Sequence, residues 1–316
     1  MLDPGMDMEA DLVIDSIKRV EILGALQTRF HELPKADTAA LAELHTLDQI
    51  TEYLTSAKPT VEPLAPDIPA VKEPSLEIPR GVVALKFLPS PDHLDMVFPK
   101  DHTCILMDDG TGLTPALAEA LSGQGIKVVV LGLKDTPASD KSKMPKNIRR
   151  ILMEDLTEAG IQNTLANIQQ EFGPAGMYIH LDPPGTAAAT YSEVENTIAR
   201  TTFLVAKYLM KNLTESARLN YAAFVTVTHM DGEFGLTTSG LFEPVSGSLF
   251  GLVKTLNLEW ERVFCRAIDL SPDLNVATAV EHIMAELYDQ NRLISEVGYS
   301  NKGRFTLVVE QPGAEN

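Results

Sequence analysis

Apolar residues along this chain recur in two different rhythms. From about residue 100 onward, short runs rich in Val, Ile, Leu, Thr and small residues, at 103–107, 127–131, 176–181, 223–228 and 263–270, read as strands buried on both faces. Between them, stretches at 114–122, 157–172, 194–212, 245–261 and 276–289 carry apolar residues at helical spacing. Strand and helix in turn predict right-handed crossovers and a doubly wound parallel sheet, an α/β unit. Earlier in the chain the rhythm is helical only. From Ser16, apolar Ile22, Leu26 and Phe30 fall at four-residue steps, and Leu47, Ile50 and Leu54 mark a later helix, for which Thr46 and Gln49 have the spacing of a capping box.

Between these two parts, Pro59, Pro63, Pro66, Pro69, Pro74 and Pro79 recur every three to five residues. Proline fixes φ and removes the donor that helix or sheet needs, so this stretch is expected to be an extended, semi-rigid spacer. The chain therefore divides into a small helical unit at 1–56, a linker at 57–79 and a large α/β unit at 80–316. No internal repeat and no second low-complexity tract occurs.

The 316 residues give ample chain for a sizeable core, and 44% apolar against 22% charged residues is a folded composition. With 26 basic and 44 acidic side chains the net charge is 26 − 44 = −18. Phosphate contacts need clustered Lys and Arg, so a nucleic-acid partner is not expected. Cys104 and Cys265 stand far apart in apolar runs, outside any CxxC or Cys/His pair, and read as reduced core residues of a cytoplasmic protein without a structural metal site. The first eleven residues carry four acids, and no run of about 18 apolar residues occurs, so neither a signal peptide nor a membrane span is expected.

Ser16 opens a predicted helix, where free backbone N–H groups and the helix dipole favour an attached phosphodiester. Its surroundings, Asp15-Ser16-Ile17-Lys18-Arg19-Val20-Glu21-Ile22, resemble the attachment site of acyl carrier proteins. Together with LAELHTLDQITEYL at 41–54, the wording is similar to the tandem carrier domains of polyunsaturated fatty acid synthases and related iterative polyketide synthases. The resemblance implies that Ser16 bears 4′-phosphopantetheine, whose thiol holds an acyl thioester. It further implies that Asp15 positions the phosphopantetheinyl transferase and Mg²⁺ during attachment, and that Ile17 and Val20 lie on the recognition face. Such domains have a helix before the serine, for which the fifteen preceding residues leave little room, so the chain is expected to be a fragment of a longer polypeptide with a truncated carrier.

The α/β pattern also invites a short-chain dehydrogenase reading, whose glycine-rich turn after the first strand lets the backbone approach cofactor phosphates. Here that turn falls on Asp108, Gly110, Gly112 and Thr114, with one of the three glycines kept, and Asp108 and Asp109 oppose a pyrophosphate electrostatically. Counting back from Glu259 places the catalytic Tyr position at Phe242, the Lys position at Ser246 and the upstream Ser position near His229. Phenylalanine cannot donate a proton and serine cannot replace an ammonium. Tyr208 and Lys211 are spaced three apart on an earlier helix and do not restore the pair. No HExxH, GxSxG or P-loop is present, and His180, His229 and Asp231-Gly232 read as structural or turn residues.

The runs FVTVTHMDGEFG, GLVKTLNLEWERVFCRAIDLS and EVGYSNKGRFTLVVE are similar to the first, structural half of the ketoreductase region in those synthases. This resemblance implies a degenerate Rossmann-like scaffold for a following catalytic subdomain, without turnover of its own and without NADPH. Its partners would be other synthase domains, namely ketosynthase, acyltransferase and catalytic ketoreductase. The alternative is an NADPH-dependent 3-oxoacyl reductase with a divergent site near His229.

Overall fold

A computed structural model describes residues 81–310, apart from 94–96, 135, 137, 141–143, 185–192, 238–244 and 290, together with Met6, Asp7, Thr46, Asp48, Gln49 and Glu52. The chain divides into two compact units, Met1–Glu77 and Ile78–Asn316. In the first, Thr46 N–H donates to Gln49 Oε1 and Gln49 N–H to Thr46 Oγ1, both at 3.2 Å, ahead of the helical Asp48 and Gln49. The reciprocal bonds of a capping box are thus formed. Asp15, Ser16, Ile17, Val20 and the proline-rich stretch lie outside the described residues.

The second unit is built on a nine-stranded sheet: β1 (Val82–Leu88), β2 (Thr103–Met107), β3 (Lys127–Leu133), β4 (Arg149–Met153), β5 (Ala175–Leu181), β6 (Ala223–Thr228), β7 (Phe264–Leu270), β8 (Glu296–Ser300) and β9 (Gly303–Glu310). Five helices alternate with them: α1 (Leu113–Gly123), α2 (Glu158–Phe172), α3 (Glu193–Leu219), α4 (Ser246–Glu259) and α5 (Val276–Tyr288). The spatial order is β1-β9-β8-β7-β6-β5-β2-β3-β4, and β2 to β8 pair in parallel throughout. From β2 the chain moves outward to β3 and β4, then returns through α2 to β5 on the other side of β2, the topological switch point of doubly wound folds.

Apolar side chains of successive strand residues fall alternately into two cores. Ile105, Met107, Tyr178 and Phe224 pack beneath α2, α3 and α4 with Leu165, Leu209 and Val253, whereas Cys104, Leu106, Ile179 and Val225 pack beneath α1 and α5 with Leu117, Leu121 and Ile283. Strands β2, β5, β6 and β7 are buried at every residue, which is why they are largely apolar without alternation, His180, Arg266 and Asp269 being buried exceptions. Helix starts follow local chemistry: the Thr157 side chain accepts from Gly160 N–H at 3.2 Å ahead of α2, and Asn275 from Thr278 N–H at 3.0 Å ahead of α5. Both cysteines are free and buried, and burial raises both thiol pKa values.

The expected doubly wound parallel sheet is formed, and it carries an antiparallel pair of strands at one edge. Only Asn301 and Lys302 separate β8 from β9, too short a connection for a crossover, so β9 turns back antiparallel on β8. β1 then pairs antiparallel with β9 from Val82↔Glu310 to Leu88↔Arg304. A buried ionic cluster ties this edge to α5. Arg304 on β9 donates to Glu286 Oε1 at 2.7 Å, to Asp289 Oδ2 at 2.7 Å and to the Pro89 carbonyl at 3.0 Å, while Arg266 on β7 donates to Glu286 Oε2 at 2.7 Å. The Tyr299 hydroxyl donates to Glu286 Oε1 at 2.5 Å. Glu286 and Arg266 are fully buried, so each charge depends on the others for solvation.

Candidate functional site

Strands β2, β5, β6 and β7 end side by side at the switch point, where α/β sheets open a crevice. The chain leaving them carries Asp108 and Asp109 after β2, Asp182 after β5, and His229 and Asp231 after β6, with Asp269 just inside the end of β7. Among the described residues no group of three His, Cys, Asp or Glu could hold a metal ion, and no helix is long and apolar enough to cross a membrane.

The turn between β2 and α1 is wound around its own carboxylates. Asp108 accepts from Arg150 Nε at 2.7 Å, from Gly110 N–H at 3.0 Å and from Ser139 N–H at 3.3 Å. Asp109, with no exposed surface, accepts from Thr111 N–H at 2.9 Å and from the hydroxyls of Thr111 at 2.5 Å and Thr114 at 2.6 Å. Asp109 N–H in turn donates to Thr114 Oγ1 at 3.1 Å, and Leu113 N–H to Thr111 Oγ1 at 3.0 Å. The amides of residues 109, 110, 111 and 113 are thereby all engaged by side chains of the same turn. Burial alone would raise the Asp108 carboxyl, but the hydrogen bonds from Arg150, Gly110 and Ser139 and the Arg150 charge hold it below the ordinary aspartate range.

The two glycines of this turn differ. Gly110 has φ +76°, a left-handed conformation that glycine adopts without strain. Gly112 has φ −71°, and a Cβ there would meet nothing nearer than Val276 Cγ2 at 3.9 Å. No close backbone approach requires its lack of a side chain.

A second wiring joins β5 to α4. The Ser246 hydroxyl donates to Asp182 Oδ2 at 2.6 Å, and His180 Nε2 lies 3.7 Å from Asp182 Oδ1. His180, fully buried in β5, places Nδ1 3.3 Å from the Tyr178 hydroxyl and 3.2 Å from Thr202 Oγ1. Because the Thr202 hydroxyl donates to the Ile198 carbonyl at 2.9 Å, its oxygen can only accept from His180, which calls for the Nδ1–H tautomer, and Nε2 has no hydrogen-bond partner among the described residues. Tyr178 is fully buried, which raises its pKa well above the ordinary phenol value. Tyr208 donates to Glu158 on α2 at 2.7 Å.

After β6 the loop folds over two further aspartates. Asp269 accepts from Met230 N–H at 2.8 Å and Phe234 N–H at 2.9 Å, and Asp231 from Glu233 N–H at 2.7 Å, Gly235 N–H at 2.8 Å and Thr237 Oγ1 at 2.7 Å. Burial pushes Asp269 up to about 6, against its N–H bonds and with the Asp231 charge adding to the rise. For Asp231, hydrogen bonds from Thr237, Gly235 and Glu233 outweigh burial and lower the value. Gly232 at φ +75° lies against the Tyr299 carbonyl, with which a Cβ would collide. The imidazole of His229 is lowered by burial, partly offset by the charges of Asp109 and Asp182, and its Nε2 has no hydrogen-bond partner among the described residues.

Of the residues singled out from sequence, Asp108, Gly110, Gly112 and Thr114 share one turn, and His229 and Ser246 reach the same crest, where Asp182 bonds the serine and its charge is felt by the histidine. Phe242 lies outside the described residues. Asp182, Asp269 and Arg150 were not singled out, although an aspartate closing a buried strand is a signal for the first two; Arg150 is 42 residues from its partner and gives none.

No protein-family model matches the chain. Over 338 aligned positions, 99% of its length, it is 28% identical to one polyunsaturated fatty acid synthase polypeptide of Thraustochytrium sp., of which the match spans 12%. Its fold is similar to the adenylation, ketoreductase and pseudo-Asub multidomain structure of a keto acid-selecting NRPS module, with TM-score 0.57 and 13% identity over 92% of this chain and 21% of that one. A 3-ketoacyl-(acyl-carrier-protein) reductase from Brucella melitensis complexed with NADH overlaps at TM-score 0.43 and 16% identity, over 54% of this chain and 75% of that one. The large unit has a doubly wound, Rossmann-like fold, and nearly the whole chain is similar to part of a fatty-acid synthase polypeptide.

Proposed function

We propose that this chain is a carrier and scaffold segment of a fatty-acid or polyketide megasynthase. Ser16 carries 4′-phosphopantetheine, recognised through Asp15, Ile17 and Val20. The α/β unit serves as the structural half of a ketoreductase and supports a catalytic subdomain, with ketosynthase and acyltransferase domains as further partners in a cytoplasmic assembly. The observation that carries the reading is the similarity to the synthase polypeptide over 99% of the chain, helical unit and α/β unit together.

The wiring of the β2 turn supports the scaffold role. A dinucleotide's pyrophosphate needs free backbone N–H groups and no opposing charge. The amides of residues 109, 110, 111 and 113 are already bonded to Asp108, Asp109, Thr111 and Thr114, two of them carboxylates. These residues do not fit the cofactor. The crest likewise presents Ser246 and His229 where a reductase needs an ammonium and a hydroxyl, and losing general acid catalysis costs about 10²–10⁴-fold in rate.

Intact mass after incubation with a promiscuous phosphopantetheinyl transferase and coenzyme A tests the carrier role. One phosphopantetheine is expected on the wild type and none on Ser16→Ala. Should both proteins keep their unmodified mass, also with an upstream helix added, Ser16 is a helix cap and the carrier reading fails.

A further inference from the structure

Strand β1 closes one side of the sheet, pairing with β9 along one edge and with no described residue along the other. An open edge is a row of backbone donors and acceptors, which natural sheets blunt with charges, prolines or very short strands. β4, at the opposite side, is five residues long and carries Arg149 and Arg150. β1 runs for seven residues, VVALKFL, and its one charge is Lys86. Its Val82, Val83 and Phe87 are 59%, 49% and 64% exposed.

Val83, Leu85 and Phe87 share one face of the strand and stand directly opposite Val309, Leu307 and Phe305 on β9. The Phe87 and Phe305 rings meet edge to face, with centroids 5.6 Å apart. None of these six side chains belongs to either core, so the strip extends past the helices that cover the rest of the sheet. A helix laid on it would cover side chains and leave the edge amides of β1 unpaired, whereas a strand beside β1 satisfies the amides and extends the apolar face.

The chain supplies such a strand in β1 itself. Set antiparallel to its copy about a twofold axis through Leu85, β1 places Val82 opposite Leu88 of the copy, Val83 opposite Phe87 and Ala84 opposite Lys86. Every pair is then apolar except the one in which the lysine meets alanine. Two copies with a net charge of −18 repel, but residues 81–91 contain no acid, so this edge can be approached. We propose that two copies of this chain associate through β1, antiparallel and centred on Leu85, and join their nine-stranded sheets into one. The pairing is isologous and closes at the dimer. It is independent of Ser16 and of any cofactor.

Sedimentation velocity of the full chain at rising concentration reads the association. A single strand pair is at the small end of specific interfaces, and a dimer with a dissociation constant of about 10 µM is expected. Phe87→Lys, at a side chain already exposed, alters two symmetry-related pairs and should weaken the dimer by about tenfold or more. Leu85→Cys reports the register. Opposed Cα atoms of antiparallel strands are about 4.5–5.5 Å apart, within disulfide reach, so mild oxidation should link this variant into a covalent dimer. Val83→Cys alone should stay unlinked, while an equimolar mixture of Val83→Cys and Phe87→Cys should cross-link. Cys104 and Cys265 are buried and stay out of the reaction. A chain that is monomeric up to about 1 mM, a dimer that Phe87→Lys leaves unchanged, association that continues past two copies, or Val83→Cys linking as readily as Leu85→Cys would each overturn the proposal.

Discussion

The crest at the switch point and the β1–β9 edge are both built on buried charge, but they use it in opposite ways. At the crest, Asp108, Asp109, Asp231 and Asp269 receive N–H groups chiefly from the loops in which they sit or that lie beside them. At the edge, Glu286 and Asp289 receive guanidinium groups from β7 and β9, so the charges bridge elements. The first arrangement satisfies the loop amides locally, with Arg150 on β4 adding one ion pair to Asp108. The second makes separate pieces of the fold depend on one another. A loop whose amides are spent on its own side chains is an anchor, and the same fold position with free amides is a phosphate site.

The largest effect should come from the edge. Glu286→Ala leaves Arg266 and Arg304 without their shared carboxylate, and urea unfolding should report a loss of about 3–5 kcal/mol. Next comes Gly232→Ala, where left-handed strain of about 1–3 kcal/mol adds to the collision with the Tyr299 carbonyl, again read from the urea midpoint. Thr114→Val strips Asp109 of one donor and its N–H of its acceptor, with an expected loss of about 1–2 kcal/mol. Were Glu286→Ala to cost no more than Thr114→Val, the distinction between cross-element and local charge would not hold.

A further effect is in pH. Asp269 has a folded value of about 6, above its unfolded one, so its contribution is complete below the unfolded range and is withdrawn as pH rises through about 6. Asp108 and Asp231, both lowered, contribute above the unfolded range and lose that contribution as pH falls below it. Between about pH 4.5 and 7, stability should therefore decline by a component that Asp269→Asn removes, checked by comparing the two slopes of urea midpoint against pH.

Strands β2 and β6 were legible to the residue, because a strand buried on both faces reads as a run of apolar and threonine residues without alternation. The edge strands were not. β4 carries two arginines with mixed exposure, and β1, apolar but for Lys86, is exposed or half-buried up to Leu88. Helix α3 runs to Leu219, beyond the expected 212, since its last turns bury only Leu213, Ser216 and Ala217 among polar neighbours. At the crest, sequence placed Asp108 and Thr114 on one turn, His229 at a strand end and Ser246 at the start of a helix, but could not show their wiring, because Ser246 meets Asp182 across 64 residues and Arg150 meets Asp108 across 42.

We propose that the β2 turn, its amides held by Asp108, Asp109, Thr111 and Thr114, does not accept a dinucleotide. Isothermal titration of the full chain with NADPH measures this directly. No saturable binding tighter than about 1 mM is the predicted result. A micromolar dissociation constant that is lost in a variant of the turn would contradict the account.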